Sequence, residues 1–405
     1  MNIKTPIALL GGISPELFMQ KYWQKKPLII RTAVPGMQPL VSRNALFAMA
    51  ADEAVESRLV EQKKGVWKFS HGPIGAAADE DGSGQQAGEK KPTALPPLKR
   101  ADWTLLVQGV DLHHDGVHDL LQQFRFVPDA RLDDLMISYA TQGGGVGPHF
   151  DSYDVFLLQA SGRRRWRIGA QKDLSLRDDV PLKILANFTP TQEFDLGPGD
   201  MLYLPPCYAH EGVALDNDCQ TYSIGFRAPS TEELARELMN RVADEIENEA
   251  LYTDRAQLAT AKPGEIPIEL QSFATQAVAK ALADGTLMQQ ILGEYLTEPK
   301  NNVWFDAPVE KDKVSATAKP KKTAKSAQSA SPFTTLRLDR RSRMMYDAQH
   351  VYLNGDSWKV AGKDAKLLRK LADARRLGAD DLAGLSPALA TALGQFIEQG
   401  WIHAQ

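Results

Sequence analysis

The sequence predicts an α+β chain in successive parts: an all-β core, a run of helices, and a small module of hairpin and helices. Three observations predict it. Between Trp103 and Phe226, short runs rich in Val, Ile, Leu, Phe and Tyr are separated by Gly, Pro and Asp, the spacing of an antiparallel sandwich or barrel. At Ser230 the pattern changes to apolar residues four apart, Leu234, Leu238, Val242 and Ile246, the stripe of an amphipathic helix. From Lys311 to Ser331 the chain is a Lys/Ala/Ser run almost without large apolar residues, the composition of a linker.

The first part opens with Glu16 to Trp23, where Leu17, Phe18 and Tyr22 fall at helical spacing, and continues into Pro27 to Ile30, which reads as a buried strand. Further strands are expected at Leu135 to Tyr139, Val155 to Gln159, Arg165 to Ile168, Met201 to Leu204 and Tyr222 to Phe226. Gly75 to Pro97 lacks aromatic and β-branched apolar residues, so it cannot offset its ordering entropy and reads as a mobile surface insertion. Ser230-Thr231-Glu232-Glu233 has the form of a capping box. More helical stripes follow at Leu270, Phe273 and Ala277, and at Leu287, Ile291, Leu292 and Tyr295, ended by Pro299. Their apolar faces need a cover, which a second copy of the chain or its own β core would supply equally well. In the last module, His350 to Val360 reads as a hairpin turning at Asn354-Gly355. Helices follow near Asp364 to Arg375 and Pro387 to Gln399, in an order and size that resemble a winged helix. The expected parts are 1–228, 229–302, a linker at 303–332, and 333–405.

With 405 residues, 43% hydrophobic and 24% charged, the chain can bury several cores. A net charge of -4 argues against a surface that grips nucleic acid or anionic membrane throughout. Cys207 and Cys219 are too few for a secreted disulfide framework and lack zinc-site spacing. No export signal or membrane span is read, and the expected location is cytoplasmic.

The chemistry concentrates in GGGVGPHFDSYD, Gly143 to Asp154. With Phe150 in a strand, His149 and Asp151 point to one face and can reach one metal ion. A third ligand is offered by His210 in GPGDMLYLPPCYAHEG, where Gly199-Asp200 turns into a strand that ends at Pro205-Pro206. Two histidines and a carboxylate leave coordination positions open, as a non-haem Fe(II) that binds both a cosubstrate and dioxygen requires. The glycines and Pro148 would let backbone pass close to whatever occupies those positions.

In Ser161 to Gly169, alternation places Arg164, Trp166 and Ile168 on one face and Arg163, Arg165 and Arg167 on the other. The mixed face is the buried one, so Arg164 needs an anion inside the barrel. The distal carboxylate of 2-oxoglutarate would serve; so would an internal Asp or Glu. The three other arginines read as a solvated face that ribosomal RNA could meet.

GGGVGPHFDSYDVFLLQASGRRRWRIG together with GDMLYLPPCYAHEG resembles the Jumonji-type (JmjC), cupin-fold 2-oxoglutarate oxygenases. Within them it is most similar to the bacterial ribosomal oxygenases, hydroxylases of an arginine in large-subunit ribosomal protein sixteen. The resemblance is close from about Tyr22 to Pro229, and beyond that it lies in the order of elements. It implies a double-stranded β-helix (cupin or jelly-roll) core, iron ligands at His149, Asp151 and His210, and 2-oxoglutarate contacts at Arg164 and Ser138. It further implies substrate contacts at Asp133 and Ser223, a homodimer formed through the middle helices, and hydroxylation that consumes O2 and yields succinate and CO2. A substrate arginine would need a carboxylate, which Asp133 could be. The insertion at 75–97 and the long linker depart from the compact family pattern.

Other signals carry less. Asp111, His113, His114, Asp115, His118 and Asp119 read as the exposed start of a helix rather than a second metal site. Asp154 would point away from Asp151 in a regular strand and so would not be a fourth ligand. Two alternative functions stand beside the oxygenase. One is a cupin metalloenzyme that does not use 2-oxoglutarate, against which Arg164 speaks. The other is a nucleic-acid-binding regulator with a ligand-sensing barrel, favoured by the basic Arg337 to Arg343 and opposed by the acidic, apolar helices after the hairpin.

Overall fold

A computed structural model describes residues 2–75, 93–246, 250–306 and 334–404. The expected insertion at 75–97 and linker at 303–332 lie largely outside the described residues. The chain separates into two units, Met1–Ala228 and Pro229–Gln405.

In the first unit Ser14 caps α1 (Pro15–Lys21), its side chain accepting the Leu17 N–H with Pro15 in the first turn. Then come β1 (Leu28–Ile30), α2 (Arg43–Ala50), β2 (Ser57–Lys63), β3 (Val66–His71), the short parallel pair β4 (Ile74–Gly75) and β5 (Thr93–Ala94), β6 (Trp103–Val107) and α3 (Asp115–Gln122). The remaining strands are β7 (Leu132–Ala140), β8 (Val155–Ser161), β9 (Arg164–Gly169), β10 (Gln192–Leu196), β11 (Met201–Leu204), β12 (Ala209–Ala214) and β13 (Cys219–Phe226). They form an eight-stranded sheet, ordered β1-β11-β8-β13-β7-β6-β2-β3, and a three-stranded sheet, ordered β10-β9-β12.

Both faces of the central strands of the larger sheet are buried, and alternation sorts their residues between two cores. Phe156 and Leu158 of β8, Tyr203 of β11, and Tyr222, Ile224 and Phe226 of β13 join Phe18, Leu46 and Leu120 of the helices. Val155, Leu157, Leu202 and Leu204 face the other way and meet Trp166, Ile168 and Leu196 of the smaller sheet. The second core is the interior of a β-barrel, and the site lies there. At the start of β7 the register slips: Phe226 opposes Leu132, while Ile224 opposes Leu135. The extra residue falls at Asp133-Asp134, a β-bulge that re-aims adjacent side chains.

In the second unit α4 (Thr231–Asp244) begins in the expected capping box, with Ser230 and Glu233 exchanging side-chain-to-backbone bonds. The expected stripe continues to Ile246, but α4 closes at Asp244. α5 (Ile268–Ala281) has no buried residue, and α6 (Gly285–Thr297) follows. β14 (Leu336–Leu338), β15 (Met344–Tyr346), β16 (His350–Leu353), β17 (Asp356–Lys359), α7 (Gly362–Ala374), β18 (Arg376–Leu377), α8 (Ala379–Leu382), α9 (Pro387–Glu398) and β19 (Ile402–Ala404) complete it. The β16–β17 turn has Asn354 at φ 53° and Gly355 at φ 96°, the paired positive angles of a tight hairpin. α6 packs on this module: a Cβ at Gly293 would lie 2.3 Å from the Tyr352 ring.

Candidate metal and cosubstrate site

His149, Asp151 and His210 come together, each offering a ligand atom within 4.8 Å of the others. His149 forms an isolated bridge with His210, each N–H donating to the other's carbonyl, at 2.9 and 2.8 Å. Phe150 and Asp151 have left strand geometry, which corrects the expected regular strand. The physical reason is the Pro205-Pro206-Cys207 turn, where the Cys207 N–H takes the Asp151 carbonyl at 2.7 Å and pulls the chain out of register. Cys207 sits at φ 60° to do so.

The imidazoles are prepared as ligands. His149 Nδ1 lies 2.9 Å from the Gly147 carbonyl, and His210 Nδ1 lies 2.9 Å from that of Tyr208. A carbonyl only accepts, so each Nδ1 carries the proton and each Nε2 is left as the donor of electrons to a metal. Burial, and then the neighbouring His149, pushes the His210 pKa down to about 4, against the opposing pull of Asp151. His210 is therefore neutral near pH 7. Its Nε2 lies 3.7 Å from Asp151 Oδ2, a separation that one ion coordinated by both would span. Among the described residues no other cluster of this kind is found.

The glycine run does something other than expected. A Cβ at Gly145 would lie 2.6 Å from the Gly212 carbonyl, and one at Gly144 would lie 2.3 Å from that of Trp103. These glycines seat the loop against the chain's own backbone, which fixes His149 beside β12.

β9 alternates as the sequence predicts, with Arg164, Trp166 and Ile168 5%, 5% and 0% exposed. Arg164 Nη1 makes a 3.4 Å bond to the Gly212 carbonyl, while Nε and Nη2 are buried without a hydrogen-bond partner. No carboxylate pairs with it among the described residues, so the internal ion pair that could have met its charge is not there. Two buried orphan donors on a fixed fork match a carboxylate of a bound acid. Ser138, 6% exposed, lies on β7 opposite Thr221, its hydroxyl donating to the Thr221 carbonyl at 3.3 Å. Arg163, Arg165 and Arg167 pair with Asp216, Asp195 and Glu211, so the expected cationic face is largely neutralised.

Further polar residues lie on β7 and β13. Ser223 opposes Leu157, a barrel-interior residue, and so faces inward. Asp133 pairs with Arg227 at 3.5 Å. Its neighbour Asp134, 3% exposed, accepts from Gln108 Nε2 at 2.6 Å and from the Gly109 N–H at 3.1 Å, and Gln108 in turn accepts from Arg58. Tyr153, 39% exposed, has its hydroxyl pKa raised by desolvation and then by Asp151 and Asp134. Sequence reasoning missed Asp134, Tyr153, Gln108 and Arg58. The signals available were the Asp133-Asp134 doublet and a tyrosine inside the quoted motif.

Asp154 is fully buried and does not join the ligand cluster. It accepts from Tyr203 at 2.6 Å, Gln24 at 3.1 Å and Arg131 at 3.3 Å, tying the loop after Asp151 to β11 and to the chain after α1. The Asp111–Asp119 cluster is not the exposed helix start expected: Asp111 and His118 are buried, 3% and 4% exposed, because Asp111 accepts the Leu135 N–H and His114 caps α3 through Nδ1.

Two family models match the chain: "JmjC domain" over residues 119–234 and "ROXA-like winged helix" over residues 280–403. The ribosomal protein uL16 3-hydroxylase of Escherichia coli K12 is 34% identical over 298 residues, 72% of this chain and 73% of that one. The crystal structure of Escherichia coli ycfD superposes with a TM-score of 0.78 at 28% identity, covering 96% of this chain and 98% of that one. A structure of YcfD, described as a ribosomal oxygenase, in complex with cobalt and 2-oxoglutarate superposes with a TM-score of 0.74 at the same identity, covering 96% and 97%.

Proposed function

Since the chain belongs to the JmjC ribosomal oxygenases, we propose that it is an Fe(II)- and 2-oxoglutarate-dependent hydroxylase of an arginine side chain in ribosomal protein uL16. The observation that carries this reading is the pairing of a His-Asp-His cluster of metal-ligand geometry with a buried guanidinium lacking an anion. His149, Asp151 and His210 would hold the iron, and Arg164 with Ser138 the distal carboxylate of 2-oxoglutarate. Iron and 2-oxoglutarate, when bound, supply the oxidising power of O2 for inserting one oxygen into a C–H bond, with succinate and CO2 as co-products.

The protein's own part is placement. The backbone pair between His149 and His210 sets the ligand spacing, and the barrel core of Leu157, Leu202, Leu204 and Ile168 excludes water. Asp133 and Asp134, with Ser223 on the adjoining strand, form an acidic wall that draws a guanidinium and orients it by charge-assisted hydrogen bonds. The apolar faces of α4 and α5 support a homodimer: Met239, Ile268 and Val278 are 51%, 66% and 61% exposed. Among the described residues no helix is long and apolar enough to cross a membrane, and a site of action on cytoplasmic ribosomes or their precursors follows from the substrate.

The test is mass spectrometry of a uL16 peptide incubated with iron-loaded protein, 2-oxoglutarate and O2, with succinate measured in parallel. One oxygen gained on arginine, absent with His210→Ala and reduced with Arg164→Ala, is expected. Unmodified peptide with no succinate above background would refute the hydroxylase reading; oxygen on a histidine would refute the arginine assignment alone.

A further inference from the structure

Three donor atoms on one face of β9 are sealed from solvent without an acceptor: Arg164 Nε, Arg164 Nη2 and Trp166 Nε1. The cosubstrate reading accounts for the first two. Burying the Trp166 N–H without an acceptor costs stability, so apolar packing alone does not account for an indole here.

Position adds to this. Across the β9–β12 pair, Ala214 opposes Arg164, Gly212 opposes Trp166 and His210 opposes Ile168. The indole thus occupies the level between the guanidinium and the metal-ligand histidine, 5.9 Å from the Arg164 guanidinium carbon and 6.0 Å from the His210 ring. Glycine at 212 is what allows it there, since a Cβ would lie 2.7 Å from the six-membered ring. That contact sets the six-membered ring edge against β12.

We propose that Trp166 is a third arm of the cosubstrate cradle, donating its indole N–H to the carboxylate that Arg164 grips. The proposal rests on the cosubstrate reading above. A carboxylate presents about four lone-pair sites on two oxygens, enough for the guanidinium fork and one indole. An oxo acid without a distal carboxylate leaves all three donors unmet, and a 2-oxo diacid with one methylene fewer or more misplaces its distal carboxylate against the indole; succinate keeps both methylenes and so keeps the contact.

The test uses full-length, zinc-loaded protein labelled with 15N at tryptophan. The Trp166 indole signal, identified by its loss in Trp166→Phe, should move downfield on addition of 2-oxoglutarate or succinate and stay in place with pyruvate. Calorimetry should show Trp166→Phe weakening 2-oxoglutarate about ten-fold, the size of one lost hydrogen bond to a charged group, with zinc content unchanged. An unmoved Trp166 signal while 2-oxoglutarate binds the wild type, or equal affinity in Trp166→Phe, overturns the proposal and leaves the cosubstrate reading intact. If the wild type binds zinc but no 2-oxoglutarate, the cosubstrate reading itself falls. Should Trp166→Phe not fold, the wild-type spectrum still decides: of the signals from seven tryptophans, none moving is the refuting result.

Discussion

Replacing Arg164 by methionine should make the ligand-free protein more stable while removing its response to cosubstrate. In the wild type two guanidinium donors are buried without acceptors, and each unmet donor costs about 1–3 kcal/mol. Met keeps most of the apolar stem and removes both donors, so the lower bound of the gain is about 2 kcal/mol. For a unit the size of Met1–Ala228, each kcal/mol shifts Tm by about 2–4 °C, which predicts a rise of about 4–8 °C. Wild-type protein at a 2-oxoglutarate concentration of about 100 times Kd should gain about 2.7 kcal/mol, and Arg164→Met almost none. Thermal unfolding of metal-loaded protein with and without 2-oxoglutarate measures both. A ligand-free Arg164→Met protein that melts below the wild type, or one that keeps the 2-oxoglutarate shift, would refute the assignment of Arg164 as an anion-binding group held at a cost to stability.

Gly145→Ala should destabilise the first unit by about 1–3 kcal/mol in urea unfolding and weaken metal retention, because its Cβ would lie 2.6 Å from the Gly212 carbonyl and His149 must move with the loop. Gly293→Ala should lower the unfolding midpoint of the second unit by a similar amount, since its Cβ would enter the Tyr352 ring at 2.3 Å; an unchanged midpoint would mean that α6 does not depend on this contact. The second unit should also lose stability in acid. Burial alone would raise the Asp339 pKa, but hydrogen bonds from His403 and Arg341, each 2.8 Å, outweigh it and hold the carboxyl well below the usual range. A folded pKa below the unfolded value of about 3.9 contributes stability above that pH and loses it as pH falls through the acid range. In Asp339→Asn the acid limb of the stability profile should flatten.

What the sequence revealed and what it hid divides along physical lines. Arg164 and Trp166 were legible because alternation is local: a strand with cations on both faces must bury one set, and the mixed set is cheaper to bury. The hairpin at Asn354-Gly355 and the cap at Ser230 were legible for the same reason. β10 and β12 were not, because QEFDL and AHEGVA carry too little apolar pattern and owe their strand form to β9 between them. His149 and Asp151 were paired correctly from a regular strand that does not form. The side chains converge instead through backbone bonds to His210 and Cys207, partners some sixty residues away that no local pattern shows. The bulge at Asp133-Asp134 is likewise a slip between two distant strands. For that reason sequence reasoning reached Asp133 and passed over Asp134.

The site draws its residues from both barrel sheets. His210 and Arg164 belong to the three-stranded sheet, whereas Ser138, Asp133, Asp134 and Ser223 belong to β7 and β13 of the eight-stranded one. On the proposed reading the cosubstrate is held from both sheets, by Arg164 of β9 and Ser138 of β7, and the substrate from the eight-stranded sheet alone. On that reading a lineage can change Asp133 and Ser223 for a new side chain, one residue at a time, while His210 and Arg164, on the other sheet, keep their places.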